Sequence, residues 1–129
     1  LLHAGEEPFQ LRVIDFELAQ PISQRSRDAA TGSVHFMAPE QFENQPLDGC
    51  TDIYALGCVL HFAATGECPF SGDTNAQVIT AHLRHMREFL APRRPDLPDE
   101  VVEWLARLIS RDPAQRPANA ATALATLPA

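Results

Sequence analysis

The chain has 129 residues, a formal charge of −7 at neutral pH and 45% hydrophobic residues, which suffices for one domain with a buried core. The acidic balance argues against nucleic-acid binding, since phosphate recognition needs a basic face. No apolar run is long enough for a membrane span, and three cysteines without zinc-ligand spacing favour reduced thiols in a cytoplasmic protein.

The first 14 residues predict a short β-hairpin. Residues 1–3 and 9–14 read as two strands joined by a turn, and Phe9, Leu11 and Val13 alternate with polar residues as in a half-buried strand. The hairpin would deliver Asp15 to a strand end, where a carboxylate can face a ligand.

The middle of the chain contains two predicted loops and one apolar helix. Residues 20–34 and 43–50 have the composition of loops. From Asp52 to Thr65 nearly every residue is apolar or small on all sides, which is typical of a helix at the centre of a fold. Gly66 then supplies a residue that tolerates a left-handed helix end.

Three further helices are predicted after Gly66. The first begins at Thr74 with a capping box and reaches about Leu90, with one side formed by Val78, Ile79, His82 and Met86. The second begins at Pro98–Asp99 and presents an apolar stripe of Val101, Val102, Leu105, Leu108 and Ile109. The third runs from Asn119 to Leu127.

A pair of histidines in the first of these helices admits two interpretations. His82 and His85 are three positions apart and could place two metal ligands on one side of the helix. No third ligand is evident, so a partly exposed helix face is the favoured interpretation.

Four motifs follow one another along the chain. They are Asp15-Phe16-Glu17, Ala38-Pro39-Glu40, the two ends of the apolar helix at residues 52–57 and 65–70, and residues 111–117. In this order and spacing they resemble the large, C-terminal lobe of a bacterial-type serine/threonine protein kinase, over about residues 1–127. The resemblance implies a mainly α fold, a protein-kinase-like large lobe with a short N-terminal β-hairpin. It divides a partial kinase domain, residues 1–129, into a hairpin 1–14, an activation segment 15–40 and a helical subdomain 41–127.

The function implied by the resemblance is transfer of the ATP γ-phosphate to serine or threonine of a protein substrate. Asp15 would be the catalytic residue that binds Mg²⁺, and Asp15 with Phe16 would lie at the nucleotide. ATP and Mg²⁺ are therefore the expected cofactors.

Four hydroxyl residues fall in the implied activation segment. Ser23, Ser26 and Thr31 are candidates for regulatory phosphorylation, which could order the segment by pairing with arginine. Ser33 matches the loop position that helps to hold the protein substrate. For each of them taken singly, an ordinary solvated hydroxyl is the favoured interpretation.

Three charged residues have implied structural roles. Glu40 and Arg116 would form a buried ion pair that ties the activation segment to the lobe. Asp52 would accept backbone N–H groups of the catalytic loop, or alternatively cap its own helix.

Parts of a kinase are absent from this sequence. It has no lysine, no glycine-rich phosphate loop and no His-Arg-Asp motif, so the upstream half of the domain is an expected partner and the chain alone is expected to be inactive. Glu17 stands where the family has glycine, at a cost of roughly 1 to 2 kcal/mol if a left-handed backbone is needed. The alternative interpretation is therefore a degenerate kinase-like module that binds partners without transferring phosphate.

Overall fold

A computed structural model describes residues 12, 14, 16, 17, 19, 33–87, 90 and 92–128. The predicted hairpin as a whole, Asp15, Ser23, Ser26 and Thr31 lie outside the described residues.

The described part is mainly α, as predicted, and its elements are α1 Pro39–Phe42, α2 Gly49–Thr65, α3 Asn75–Arg84, α4 Asp99–Leu108, a 3₁₀ turn Pro113–Gln115 and α5 Ala120–Ala125. Within these residues there is no β-strand. None of the helices found there combines the length and the apolar character that a bilayer crossing requires.

Helix α2 is the central element, and it begins three residues earlier than predicted. The carboxylate of Asp48 accepts a hydrogen bond from the Cys50 backbone N–H at 2.9 Å, so Asp48 is the N-cap. The proposed capping role of Asp52 is therefore wrong, because this residue already lies in the first turn. At the other end Gly66 has φ 78°, which confirms the predicted left-handed end.

Helix α4 packs closely against α2 at Gly57. A Cβ atom on this glycine would lie 2.6 Å from Ile109 Cγ2 and 2.7 Å from Leu108 Cβ, which no real side chain tolerates. Two apolar clusters lie around this crossing. One includes Tyr54 and Phe70, and the other includes Leu105, Leu108 and Trp104.

Helix α3 ends earlier than predicted. His85 adopts a left-handed conformation with φ 53°, and the helix stops at Arg84 rather than near Leu90. Met86 therefore leaves the predicted apolar side and is 64% exposed. His82, in contrast, is completely buried, so the expectation of a partly exposed histidine face is wrong for this residue.

The last helix is held by a tryptophan of α4. The Trp104 Nε1–H donates to the Ala123 carbonyl at 3.2 Å and to Thr126 Oγ1 at 3.3 Å. Helix α5 is shorter than predicted, and the Asn119 side chain caps it by accepting the Thr122 N–H at 2.9 Å. Trp104 was absent from the predicted stripe, although it lies between the predicted members.

Candidate functional site

The short helix α1 presents Glu40 to the interior. Pro39 occupies the first helical position, where its missing N–H costs nothing, and the Gln41 side chain accepts the Ala38 N–H at 2.9 Å. These contacts fix the start of the helix. Glu40 is consequently buried, with only 6% of its surface exposed.

The partner of Glu40 is Arg116, 76 positions later in the chain. Arg116 Nη1 donates to Glu40 Oε1 at 2.7 Å, and Nη2 donates to Oε2 at 3.0 Å. Both side chains are almost inaccessible to solvent. The buried ion pair implied by the resemblance is thus present, in the bidentate geometry that is strongest for arginine and carboxylate.

The remaining donors of Arg116 are also satisfied. Its Nε, Nη1 and Nη2 atoms donate to the backbone carbonyls of Ser110, Cys50 and Arg111 at 2.7, 3.1 and 2.9 Å. The guanidinium carbon lies 4.7 Å from the centroid of the Tyr54 ring, a cation–π contact. A charge held by this many partners offsets its desolvation cost, which an isolated buried ion cannot do.

Helix α2 contributes a third side chain to the same network. Thr51 Oγ1 donates to Glu40 Oε1 at 3.0 Å in a buried contact. The network therefore joins α1, the first turn of α2 and the turn after Pro113. It fixes the end of the segment that leads into Ala38-Pro39-Glu40.

A second, more exposed ion pair supports the same junction. Arg111 Nη2 lies 2.6 Å from Glu43 Oε1, and Arg111 Nε donates to the Leu83 carbonyl at 2.6 Å. The side chains of Arg111 and Glu43 are 50% and 38% exposed, so the pair contributes much less than the buried one.

Ser33, the predicted substrate-side hydroxyl, lies at the start of a turn before α1. The Phe36 N–H donates to the Ser33 carbonyl at 3.1 Å and closes the turn. Ser33 is exposed, while Met37 and Ala38, which directly follow the turn, are buried. The turn is thus anchored on its C-terminal side and leaves the Ser33 hydroxyl accessible.

Asp52 lies on an outward face of α2 and has no hydrogen-bond partner among the described residues. Partial burial raises the pKa of its carboxyl group, and the negative charge of Asp48 adds to this effect. The same face continues with Leu56, Val59 and Phe62, which are 40%, 48% and 46% exposed. This outward face of α2, defined by these four residues, combines one unpaired acid with three large apolar side chains.

The predicted nucleotide-side residue Phe16 and its neighbour Glu17 both lie in the described part of the chain. Phe16 is 66% exposed, and Glu17 is also exposed. In the described part, the non-glycine residues with positive φ are Asn44 and His85, so Glu17 bears no left-handed strain in this conformation. The predicted metal ligand Asp15 is outside the described residues.

No metal site is formed by the part of the chain that the structure describes, where no three His, Cys, Asp or Glu residues cluster suitably. The three cysteines are free thiols, and burial raises the pKa of Cys58 to about 12. Cys58 thus behaves as a small hydrophobic residue, as predicted.

Sequence reasoning missed a group of rings that pack around the buried His82. The ring centroids of Phe70, Tyr54 and Phe42 lie 4.3, 5.7 and 5.7 Å from that of His82. The signal was its helical spacing, because His82 follows the buried Val78 by one turn and shares its face.

Comparisons with known proteins agree with this arrangement. The family model described as "Protein kinase domain" matches residues 1–126. A "Probable serine/threonine-protein kinase PkwA" of Thermomonospora curvata is 34% identical, covering 84% of this chain and 14% of the relative. "Serine/threonine-protein kinase PknB" of Mycolicibacterium smegmatis is 30% identical, covering 91% of this chain and 20% of the relative.

A third relative, "Serine/threonine-protein kinase pkn3" of Myxococcus xanthus, is 32% identical, covering 88% of this chain and 22% of the relative. The chain therefore spans about a fifth or less of the length of these relatives. Since the family model matches nearly the whole chain and the helical lobe carries the expected ion pair, the chain belongs to the protein kinase family.

Proposed function

We propose that this chain is part of an enzyme that transfers the γ-phosphate of ATP to serine or threonine of a protein substrate. Its contribution would be the magnesium-binding Asp15, the activation segment 15–40 and the helices on the substrate side. The relatives are named as serine/threonine kinases, which supports the reaction class.

The observation that carries the proposal is the buried Glu40–Arg116 pair. Its two hydrogen bonds of 2.7 and 3.0 Å anchor the end of the activation segment to the helical subdomain. A loop anchored in this way can present Ser33 at a constant position. Phosphoryl transfer depends largely on positioning of its reactants, so a fixed substrate loop serves that chemistry directly.

The donor chemistry of Asp15 fits Mg²⁺, because hard divalent cations prefer carboxylate oxygens. Bound Mg²⁺ would neutralise phosphate charge on ATP. This chain would contribute Asp15, next to Phe16 in the sequence, as a ligand of the metal. A single carboxylate is too few ligands for a site, so further groups must come from the nucleotide and from the remainder of the domain.

The outward face of α2 supports the remaining half of the kinase domain as a partner. Leu56, Val59 and Phe62 together expose a continuous apolar strip, which favours burial against another surface. Asp52 at one end of the strip can accept N–H groups from that partner. Such hydrogen bonds would compensate the partial desolvation that raises the pKa of its carboxyl group.

A degenerate kinase-like module is the second candidate, and Glu17 is the observation that favours it. A carboxylate in place of glycine beside Asp15 would resist a left-handed backbone and disturb metal binding. Such a module would use the same anchored loop to bind a partner without phosphotransfer.

The test is phosphotransfer by the full-length protein that carries this chain. We expect incorporation of labelled γ-phosphate into peptides containing serine or threonine, dependent on Mg²⁺. Asp15→Asn should reduce the rate on the order of 100- to 1,000-fold, as when a charge-stabilising group is removed from an active site. The matched control is Asp73→Asn, at an exposed carboxylate before α3, which should leave the rate unchanged.

The 129-residue chain alone should give only background incorporation, and turnover by it would contradict the division of labour proposed above. A full-length protein that binds peptides but transfers no phosphate favours the degenerate module. Recovery of transfer in Glu17→Gly would then identify that residue as the cause.

A further inference from the structure

His82 lies at the centre of a buried ring cluster between α2, α3 and the turn before α1. It is completely buried, as are Tyr54 and Phe70. The ring centroids of His82 and Phe70 are only 4.3 Å apart. Rings packed at this distance have little freedom, so the imidazole is a fixed point within the helical subdomain.

One hydrogen bond joins this imidazole to the central helix. His82 Nδ1 and the Tyr54 hydroxyl are 2.8 Å apart and both are buried. The other ring nitrogen, Nε2, has no hydrogen bond of good geometry among the described residues. A buried nitrogen without a well-formed hydrogen bond costs free energy, so packing alone would favour phenylalanine at this position.

The ring of His82 also meets the turn that begins at Ser33. The Val34 backbone contributes a hydrogen-bond interaction to the imidazole, and the side chain of His35 contributes a coulombic one. Phe36, the last residue of the turn, packs against the cluster that contains Tyr54 and Phe70. The exposed Ser33 is therefore carried by a turn that rests on the ring cluster.

We infer that His82 is a positioning residue, which couples Tyr54 of α2 to the Ser33–Phe36 turn and so sets the place of the peptide substrate. The inference rests on the proposed function, in which this turn holds a peptide that contains serine or threonine. His82 touches neither the substrate nor the nucleotide. It acts through the turn and should therefore affect peptide binding more than the phosphotransfer step.

The experiment compares Tyr54→Phe, His82→Phe and the double variant in the full-length protein. Each single change should raise KM for the peptide about tenfold, which is the size of effect expected from one lost buried hydrogen bond. The values of kcat and of the KM for ATP should remain nearly unchanged, because His82 acts through the turn. The double variant leaves no orphaned partner and should be no worse than either single variant.

Hydrogen exchange provides a readout that needs no activity. We expect the backbone amides of residues 34–36 to exchange about tenfold faster in each single variant than in the wild type. The matched control is His61→Phe on α2. His61 is 3% exposed and also has an unpartnered Nε2, but its polar contacts are with Thr65 and Glu67. It should leave both the peptide KM and the exchange of residues 34–36 unchanged.

The outcomes separate the two proposals. If the wild type is active but the single variants keep its peptide KM, or its exchange at residues 34–36, the role of His82 is overturned and the proposed function stands. The role would also be overturned if kcat fell and both KM values rose by the same factor, since such changes indicate general destabilisation. A wild type without phosphotransfer refutes the proposed function and, with it, the substrate role of the turn.

Discussion

Two sides of helix α2 differ in whether this chain supplies partners for their polar groups and covers their apolar side chains. Thr51 and Tyr54 face the Glu40–Arg116 network, where charged groups are paired and buried. Asp52 and Val59 point away from it, and there a carboxyl group lacks a partner among the described residues while a large apolar side chain is 48% exposed. One side of the helix is complete, and the other is not.

This difference separates the contacts that the helical subdomain makes by itself from those that need a further surface. Buried charges are stable only when their partners are in place, so the network around Arg116 must form whenever this part folds. Exposed apolar surface tolerates solvent at a moderate cost and gains stability when it is covered. Substitutions on the complete side of α2 should therefore cost more stability than substitutions on the incomplete side.

The largest effect is expected from Glu40→Ala in the full-length protein. The change leaves the Arg116 guanidinium buried without its carboxylate, and breaking such a pair typically costs about 3 to 5 kcal/mol. The free energy of local opening at α1, measured by hydrogen exchange, should fall by this amount.

The matched control is Glu43→Ala, three positions later. Its ion pair with Arg111 is short, at 2.6 Å, but substantially exposed, so its loss should cost about 1 kcal/mol or less. Similar losses for both variants would show that burial does not decide the strength of these two pairs.

A smaller effect is expected on acidification, through His82. Burial lowers the pKa of this imidazole to about 4, from an ordinary value of 6.5. The unfolded chain then binds more protons than the folded one between these pH values, so stability falls as the pH falls through that window. The Tyr54 hydroxyl group lies at hydrogen-bond distance from the ring; a coulombic interaction with His35 also lowers the pKa of His82, and a hydrogen bond with the Val34 backbone opposes this.

Between pH 7 and pH 5 the contribution of His82 amounts to about 2 kcal/mol. Urea unfolding of the wild type at both pH values should show this loss, and His82→Phe should remove that part of it. An identical pH dependence in wild type and variant would show that His82 has the same pKa in the folded and in the unfolded chain.

The sequence predicted elements whose signals are local. The burial of α2 followed from residues that are apolar on all sides, and its end followed from Gly66. The start of α2 was misplaced because Asp48 and Asp52 are equally good capping residues. The end of α3 was missed because His85, rather than the usual glycine or asparagine, takes the left-handed position.

Contacts between distant residues could be predicted only through the resemblance. Glu40 and Arg116 are 76 positions apart, and nothing in periodicity or composition pairs them. The burial of His82 was missed for a different reason. An imidazole on an apolar face is equally consistent with a solvated edge, and only the packing of Phe70 and Tyr54 decides between them.

The smallest effect concerns the incomplete side of α2 and depends on context. Val59→Thr keeps the shape of the side chain and replaces one methyl group with a hydroxyl group, and burial of this polar group costs about 1 kcal/mol. We expect this loss of unfolding free energy in the full-length protein. In the 129-residue chain alone the change should stay within about 0.5 kcal/mol, because the residue is exposed there.

The control for this comparison is Val78→Thr on α3, where the valine is only 1% exposed. Its hydroxyl group would be buried in either context, so the loss should appear in the full-length protein and in the chain alone. If Val59→Thr were neutral in both, the outward face of α2 would be solvated in the complete protein, which would contradict the proposal that the remainder of a kinase domain docks there.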